Sequence, residues 1–204
     1  MIQNIVFDMG RVLLDYEPAK VCWQYTDRAE DVELIAKALF FSQEWILLDK
    51  GEISEEAAME IVKKRLPDER LKKIAEFSMA HWHEFNISPK PGMEELVKEL
   101  KDRGFHIYLC SNASLRLRVY ESRIPGNQYF DGTLVSAEER LLKPDTAIYK
   151  RLFEKFTIRP EESFFIDDLQ ENIDGAKRAG MDGYCFADGD VLKLRDRLKE
   201  LSIL

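Results

Sequence analysis

The 204-residue chain has only three cysteines and three histidines, no long apolar run and no surplus of positive charge. Cys22, Cys110 and Cys185 have neither metal-site nor disulfide-framework spacing. Cys110 and Cys185 fall in apolar runs and read as small buried hydrophobes, which suits a reducing compartment. No stretch approaches the roughly 18 apolar residues that a membrane span requires. The opening Met1-Ile2-Gln3-Asn4-Ile5-Val6-Phe7-Asp8 has neither a basic n-region nor a long apolar h-region. A cytoplasmic protein with no membrane partner is expected. The formal net charge of -8 argues against non-specific binding to nucleic acid or to an acidic membrane surface. It does not argue against a phosphate ligand, because a site can be locally positive. His81 and His83 are two residues apart, so on a helix they point in different directions and cannot readily share a metal. They read as surface or packing residues, or as one residue reaching a site.

What is present is an ordinary globular balance, 45% hydrophobic and 33% charged. Ile5-Val6-Phe7 stops at Asp8, Ile107-Tyr108-Leu109-Cys110 stops at Ser111, and Phe164-Phe165-Ile166 stops at Asp167-Asp168. Each reads as a buried strand with polar residues at its C-terminal end. Gly132–Ser136 and Gly183–Phe186 are weaker strand candidates. Helical patterns separate them. Pro91 suits a first helical position before Leu96, Val97 and Leu100, with Gly104 as the stop. Asp145 caps a helix carrying Ile148, Tyr149, Leu152, Phe153 and Phe156. Ile173, Ala176 and Ala179 precede Gly180, and Asp190 caps a last helix with Leu194, Leu198 and Leu201. The alternation predicts an α/β fold, a doubly wound parallel sheet covered on both faces.

Residues 16–88 contain no convincing strand. Val32, Ile35, Ala36 and Leu39 suggest one helix, Ser54-Glu55-Glu56 starts another through Ile61, Val62 and Leu66, and residues 74–85 suit a third. The expected organisation is a core of residues 1–15 and 89–204 with a small α-helical cap, 16–88, inserted after the first strand. Asp15 reads as a cap or hinge residue in the linker. Trp45 and the Phe40-Phe41 pair read as cap core or as a surface packed against substrate.

Ligands in such sheets bind beyond the C-terminal strand ends. Those ends present Asp8, Ser111-Asn112 and Asp167-Asp168, and Lys143-Pro144 precedes a helix. Carboxylates at close quarters repel unless a cation neutralises them, and magnesium is the usual partner of oxygen ligands beside phosphate. The Ser111 hydroxyl and the Asn112 backbone N–H can donate to phosphate oxygens. Lys143 supplies positive charge there, and an Asp carboxylate is a competent phosphoryl acceptor. Taken singly, each is an ordinary turn, cap or loop residue. Together they occur in the required order at one edge of one sheet.

In these motifs the chain resembles the haloacid dehalogenase-like hydrolases over essentially its whole length. Phe7-Asp8-Met9-Gly10-Arg11-Val12-Leu13 resembles the first motif, Leu109-Cys110-Ser111-Asn112 the second, and Lys143-Pro144 the third. Phe165-Ile166-Asp167-Asp168 with Asn172 and Gly175-Ala176 resembles the fourth. The resemblance implies Asp8 as nucleophile and metal ligand, Ser111 holding phosphate, and Asp168, with Asp167 beside it, associated with Mg2+. The insertion resembles the helical cap of the subfamily whose insertion follows the first motif. The Asp-x-Gly form and Gly51-Glu52-Ile53-Ser54 are similar to a bacterial subgroup that includes alpha-D-glucose-1-phosphate phosphatases. The phosphatase domain of soluble epoxide hydrolases is a more distant likeness.

Most phosphatases of that family carry a second acid two residues after the nucleophile. Here the position is Gly10, whose carbonyl can bind magnesium but which has no side chain for proton transfer. The expected function is therefore hydrolysis of a small phosphorylated metabolite, such as a hexose 1-phosphate with its good leaving group, through a phospho-aspartate. Arg11, Trp45 and Glu52 are candidate substrate contacts, and Arg11 reads equally as a solvated side chain. A 2-haloacid dehalogenase, a phosphoglucomutase-like enzyme and a catalytically silent relative are the alternative expectations.

Overall fold

The computed structural model describes residues 1–204. Five strands form one parallel sheet: β1 (Asn4–Phe7), β4 (His106–Ser111), β5 (Gly132–Val135), β6 (Ser163–Asp167) and β7 (Asp182–Cys185), in the order β5-β4-β1-β6-β7. Two three-residue strands, β2 (Leu14–Tyr16) and β3 (Ile87–Pro89), pair antiparallel as a separate ribbon. The helices are α1 (Ala29–Ala38), α2 (Gln43–Asp49), α3 (Glu55–Arg65), α4 (Glu69–Phe85), α5 (Met93–Asp102), α6 (Leu117–Tyr120), α7 (Ser136–Glu139), α8 (Thr146–Phe156), α9 (Gln170–Arg178) and α10 (Val191–Glu200).

The central strands are apolar on both faces because both are covered. Ile5, Val6, Phe7, Leu109, Phe165 and Ile166 are fully buried. Val6, Tyr108, Cys110 and Phe165 pack with Ile148, Tyr149, Leu152 and Ala176 of α8 and α9. Ile5, Phe7, Ile107, Leu109 and Ile166 join Leu96, Leu100, Leu194 and Leu198 of α5 and α10 on the other side. Capping side chains set several helix starts. Ser54, Asp145 and Asp190 each accept a first-turn backbone N–H. Helix α5 begins later than its sequence suggests. Gly92, at φ 83°, turns the chain in left-handed geometry, so Pro91 lies before the helix and not in its first turn. Cys185 is half-buried, whereas Cys22 and Cys110 are buried.

Between Tyr16 and Ile87 the chain builds α1 to α4. Helix α4 packs against α1 and α3, and α3 against α2. The ribbon carries the chain out and back, with Leu14 opposite Pro89 and Tyr16 opposite Ile87. Asp15 in β2 pairs with Lys90 just beyond β3, which ties the two crossings together. The 16–88 stretch read as strand-free thus gives up a residue or two at each end to this ribbon.

Candidate active site

The register of the sheet assembles the site. Phe7 lies level with Leu109 on one side and Ile166 on the other, so the next residues, Asp8, Cys110-Ser111 and Asp167, emerge at one edge. The Asp8 N–H continues the ladder to the Ile166 carbonyl at 2.8 Å. Carboxylate oxygens of Asp8, Asp167 and Asp168 all lie within 4.8 Å of one another. Lys143 reaches into this cluster, its Nζ 2.7 Å from Asp8 Oδ1 and 2.7 Å from Asp167 Oδ2.

Asp167 is fully buried and heavily engaged. It accepts from Leu169 N, Asn172 Nδ2 and Lys143 Nζ. Asp168 is less enclosed, and its only ion-pair neighbour is Arg11, 3.9 Å away with a largely exposed side chain. Burial pushes the Asp8 carboxyl up to about 6, with Lys143 opposing the shift and Asp167 adding to it. Burial also raises Asp168, and Asp167 adds to that rise. For Lys143, burial alone would depress the ammonium, but Asp167 and Asp8 outweigh it and hold the proton firmly. The arrangement is a compact set of hard oxygen donors that fits a divalent cation such as magnesium.

Asn112 has a use that the sequence did not reveal. Its side chain donates to the Lys143 carbonyl at 3.0 Å and accepts from the Lys143 N–H at 2.9 Å, clamping that loop. From the other side the loop rests on Gly175. A Cβ at Gly175 would stand 2.4 Å from the Pro144 carbonyl oxygen and 3.0 Å from the Tyr149 ring. Gly175→Ala gains at most about 1 kcal/mol of helix propensity and incurs about 1–3 kcal/mol from overpacking. A net loss of stability is expected, read as a lowered urea midpoint. A midpoint at or above wild type would show that the loop yields freely.

A cavity of about 290 Å³ opens over these groups. Its floor holds Asp8, Gly10, Ser111, Asn112, Lys143 and Asp168, and its walls include Tyr16, Trp45, Trp82 and Tyr120. Trp45 and Trp82 meet edge to face at 5.3 Å, and Trp82 meets Tyr120 at 5.5 Å. Of the three candidate substrate contacts, the structure brings Arg11 and Trp45 to the cavity and leaves Glu52 out. Helix α2 ends at Asp49, the chain turns at Gly51 (φ 70°), and Glu52 pairs with Lys50 at 2.6 Å outside. His81 pairs with Glu84, and His83 is buried against Tyr120. Neither lines the cavity.

Asp49, which no motif in the sequence singles out as a site residue, lies at the end of α2 and in the cavity wall. Burial chiefly pushes its carboxyl up to about 7, the Ser114 amide opposes, and the Asp8 charge adds to the rise. One signal was available. An acid in the last turn of a helix faces the negative end of the dipole, a placement that needs a reason. Ser136 Oγ fixes that end by donating to the Asp49 carbonyl at 2.5 Å.

The haloacid dehalogenase-like hydrolase family model matches residues 2–180. The chain therefore belongs to that family and is a hydrolase. A sesquiterpene phosphatase of Aspergillus oryzae is 26% identical over 90% of this chain and 89% of its own. A phosphorylated carbohydrates phosphatase of Thermotoga maritima is 24% identical over 89% of this chain and 83% of its own. Among solved structures, a magnesium complex of a family enzyme from Bacteroides thetaiotaomicron superposes with a TM-score of 0.71 at 23% identity, covering 90% of this chain and 92% of that one. That last likeness speaks to the fold.

Proposed function

We propose that this protein is a magnesium-dependent phosphatase that transfers the phosphoryl group of a small ester to Asp8 and then to water. One observation carries the reading: the Asp8 and Asp168 carboxylates and the Lys143 ammonium converge on the floor of a single cavity with Ser111 beside them, and the buried Asp167 carboxylate lies against them from behind. Asp8 attacks phosphorus, Ser111 Oγ and the Asn112 N–H donate to phosphoryl oxygens, and Lys143 offsets the negative charge. Asp8, Asp168 and the Gly10 carbonyl would hold the ion. Asp167, with both oxygens already accepting, serves it from beside and keeps Lys143 in place. Bound magnesium supplies Lewis-acid charge to the phosphoryl oxygens.

Residues 16–88 act as the cap over a core of 1–15 and 89–204, since the cap supplies Trp45, Trp82 and Tyr16 to the walls. Such walls suit a leaving group with an apolar or C–H face, and hexose 1-phosphates are the first candidates. The similarity to the Thermotoga phosphatase supports that choice. The three free cysteines suit work in a reducing cytoplasm.

Phosphate release from hexose 1-phosphates, hexose 6-phosphates and prenyl phosphates, with magnesium and after EDTA, tests the reading. Chelation is expected to stop the reaction and added magnesium to restore it. Full activity after chelation, or halide release from a 2-haloacid without phosphate release, would overturn it.

A further inference from the structure

Hydrolysis through Asp8 needs two proton transfers. The departing alkoxide must receive a proton, and the attacking water must give one up. Gly10 has no side chain to do either. A Cβ there would meet nothing within 4 Å, so the space beside the nucleophile is open.

The titratable and charged groups facing that space are few. Asp8 comes from β1, Arg11 from the loop after it, Tyr16 from β2, Tyr120 from α6, Lys143 from the loop before α8, and Asp168 from the end of β6. Asp8 is occupied as nucleophile. Lys143 is locked by two carboxylates, and Asp168 sits in the acidic cluster. A guanidinium offers only donors and no proton-accepting atom, which sets Arg11 aside. Burial raises Tyr16 and Tyr120, and the Asp49 charge adds to both shifts, so neither phenol gives up its proton near neutrality.

Asp49 remains. It is half-buried, lines the same cavity, and has no lysine or arginine paired with it. Its helix end is also fixed in place. Ser136 Oγ bridges the Asp49 carbonyl and the Ala113 backbone, with Ala113 N–H donating to it at 2.8 Å. At the next turn a Cβ on Gly51 would fall 2.2 Å from the Ala137 carbonyl, so the two segments sit against each other with no room to spare.

We infer that Asp49, delivered from the helical segment between the ribbon strands, is the general acid and base of this site in place of the side chain that Gly10 lacks. The inference rests on the phosphatase reading. In the first step an Asp8 oxygen bonds to phosphorus, the ester P–O bond breaks, and the Asp49 proton goes to the leaving oxygen, giving an alcohol and a phospho-aspartate. In the second, water attacks phosphorus, the bond to Asp8 breaks, and a water proton returns to Asp49, giving inorganic phosphate and the starting enzyme. Ester and water are the only reactants. Burial, which brings the Asp49 carboxyl to about 7, suits a group that must both give and take a proton near neutrality. A supplied acid also serves poor leaving groups, so substrate choice passes from leaving-group chemistry to the aromatic walls.

The experiment compares Asp49→Asn with wild type, magnesium present, on an alkyl phosphate and on p-nitrophenyl phosphate, whose leaving group needs no proton. The alkyl ester should lose about 10²- to 10⁴-fold in kcat/KM, while the aryl ester keeps its rapid nitrophenol burst and accumulates phospho-enzyme. In wild type, kcat/KM for the alkyl ester should fall as pH rises past about 7, because the free enzyme must carry the proton. That limb should vanish in the variant. Gly10→Asp in the Asp49→Asn background should restore alkyl ester turnover, and it serves as a second reading whether or not the single variant is less stable. Equal losses on both esters, an unchanged pH limb or a failed rescue would overturn the role of Asp49. A wild type that releases phosphate from neither ester would instead overturn the phosphatase reading itself.

Discussion

Asp8→Asn is expected to reduce phosphate release at least about a thousandfold, the scale seen when one member of a catalytic unit is removed, and to leave the protein folded. Chemistry and stability separate cleanly at this position. The amide has no anionic oxygen to attack phosphorus and is a poorer ligand for a hard cation. Its shape, however, matches the carboxylate, and the N–H of residue 8 keeps its bond to Ile166. The charge balance is also mild. Lys143 loses one partner but keeps Asp167 at 2.7 Å, and the mutual repulsion of Asp8 and Asp167 disappears. Urea unfolding should therefore shift little while activity collapses. A variant that folds and retains near wild-type phosphate release would remove Asp8 from its role, and with it the phospho-aspartate route.

Much of this site can be read from the sequence because strands β1, β4 and β6 are short and buried on both faces. Apolar runs of that kind announce themselves, and the residue that ends each run falls at the same sheet edge. Caps such as Ser54, Asp145 and Asp190 are legible for a local reason, a side-chain acceptor next to free N–H groups. The missed elements depend on partners far along the chain. Strands β2 and β3 are three residues each and exist only by pairing with one another across about seventy residues. Helix α2 has seven residues, and the periodic pattern is too short to show in Gln43–Asp49. Without α2 neither the cavity position of Asp49 nor the exclusion of Glu52 could be seen. Asn112 illustrates the same limit within a recognised motif. Its position was legible, but its side chain serves a loop thirty-one residues away.

Lys143→Met should be the most damaging single change to stability within the site, because the ammonium is the only cation inside the buried acidic cluster. Its side chain is 1% exposed and lies 2.7 Å from each of two carboxylates that are themselves almost wholly enclosed. Removing one member of a buried ion pair leaves an uncompensated charge and costs about 3–5 kcal/mol. The penalty depends on pH in a definite direction. Asp8 already holds its proton more tightly when folded, up to about 6 against an ordinary 3.8, because burial disfavours its charge. A group raised in this way favours the folded state at low pH, and that advantage drains away as pH rises through the interval between the two values. Without the ammonium, which opposes the shift, the interval extends upward for Asp8. Urea unfolding in the presence of a chelator should therefore show a larger deficit at pH 8 than at pH 5, where Asp8 binds its proton. Adding Asp8→Asn removes one of the stranded charges, so the double variant should be more stable at pH 8 than Lys143→Met alone, a coupling that distant sites do not show. A deficit equal at both pH values, or a double variant weaker than the single one, would mean that Lys143 acts by packing over the Phe165 ring and not as the counter-charge of the site.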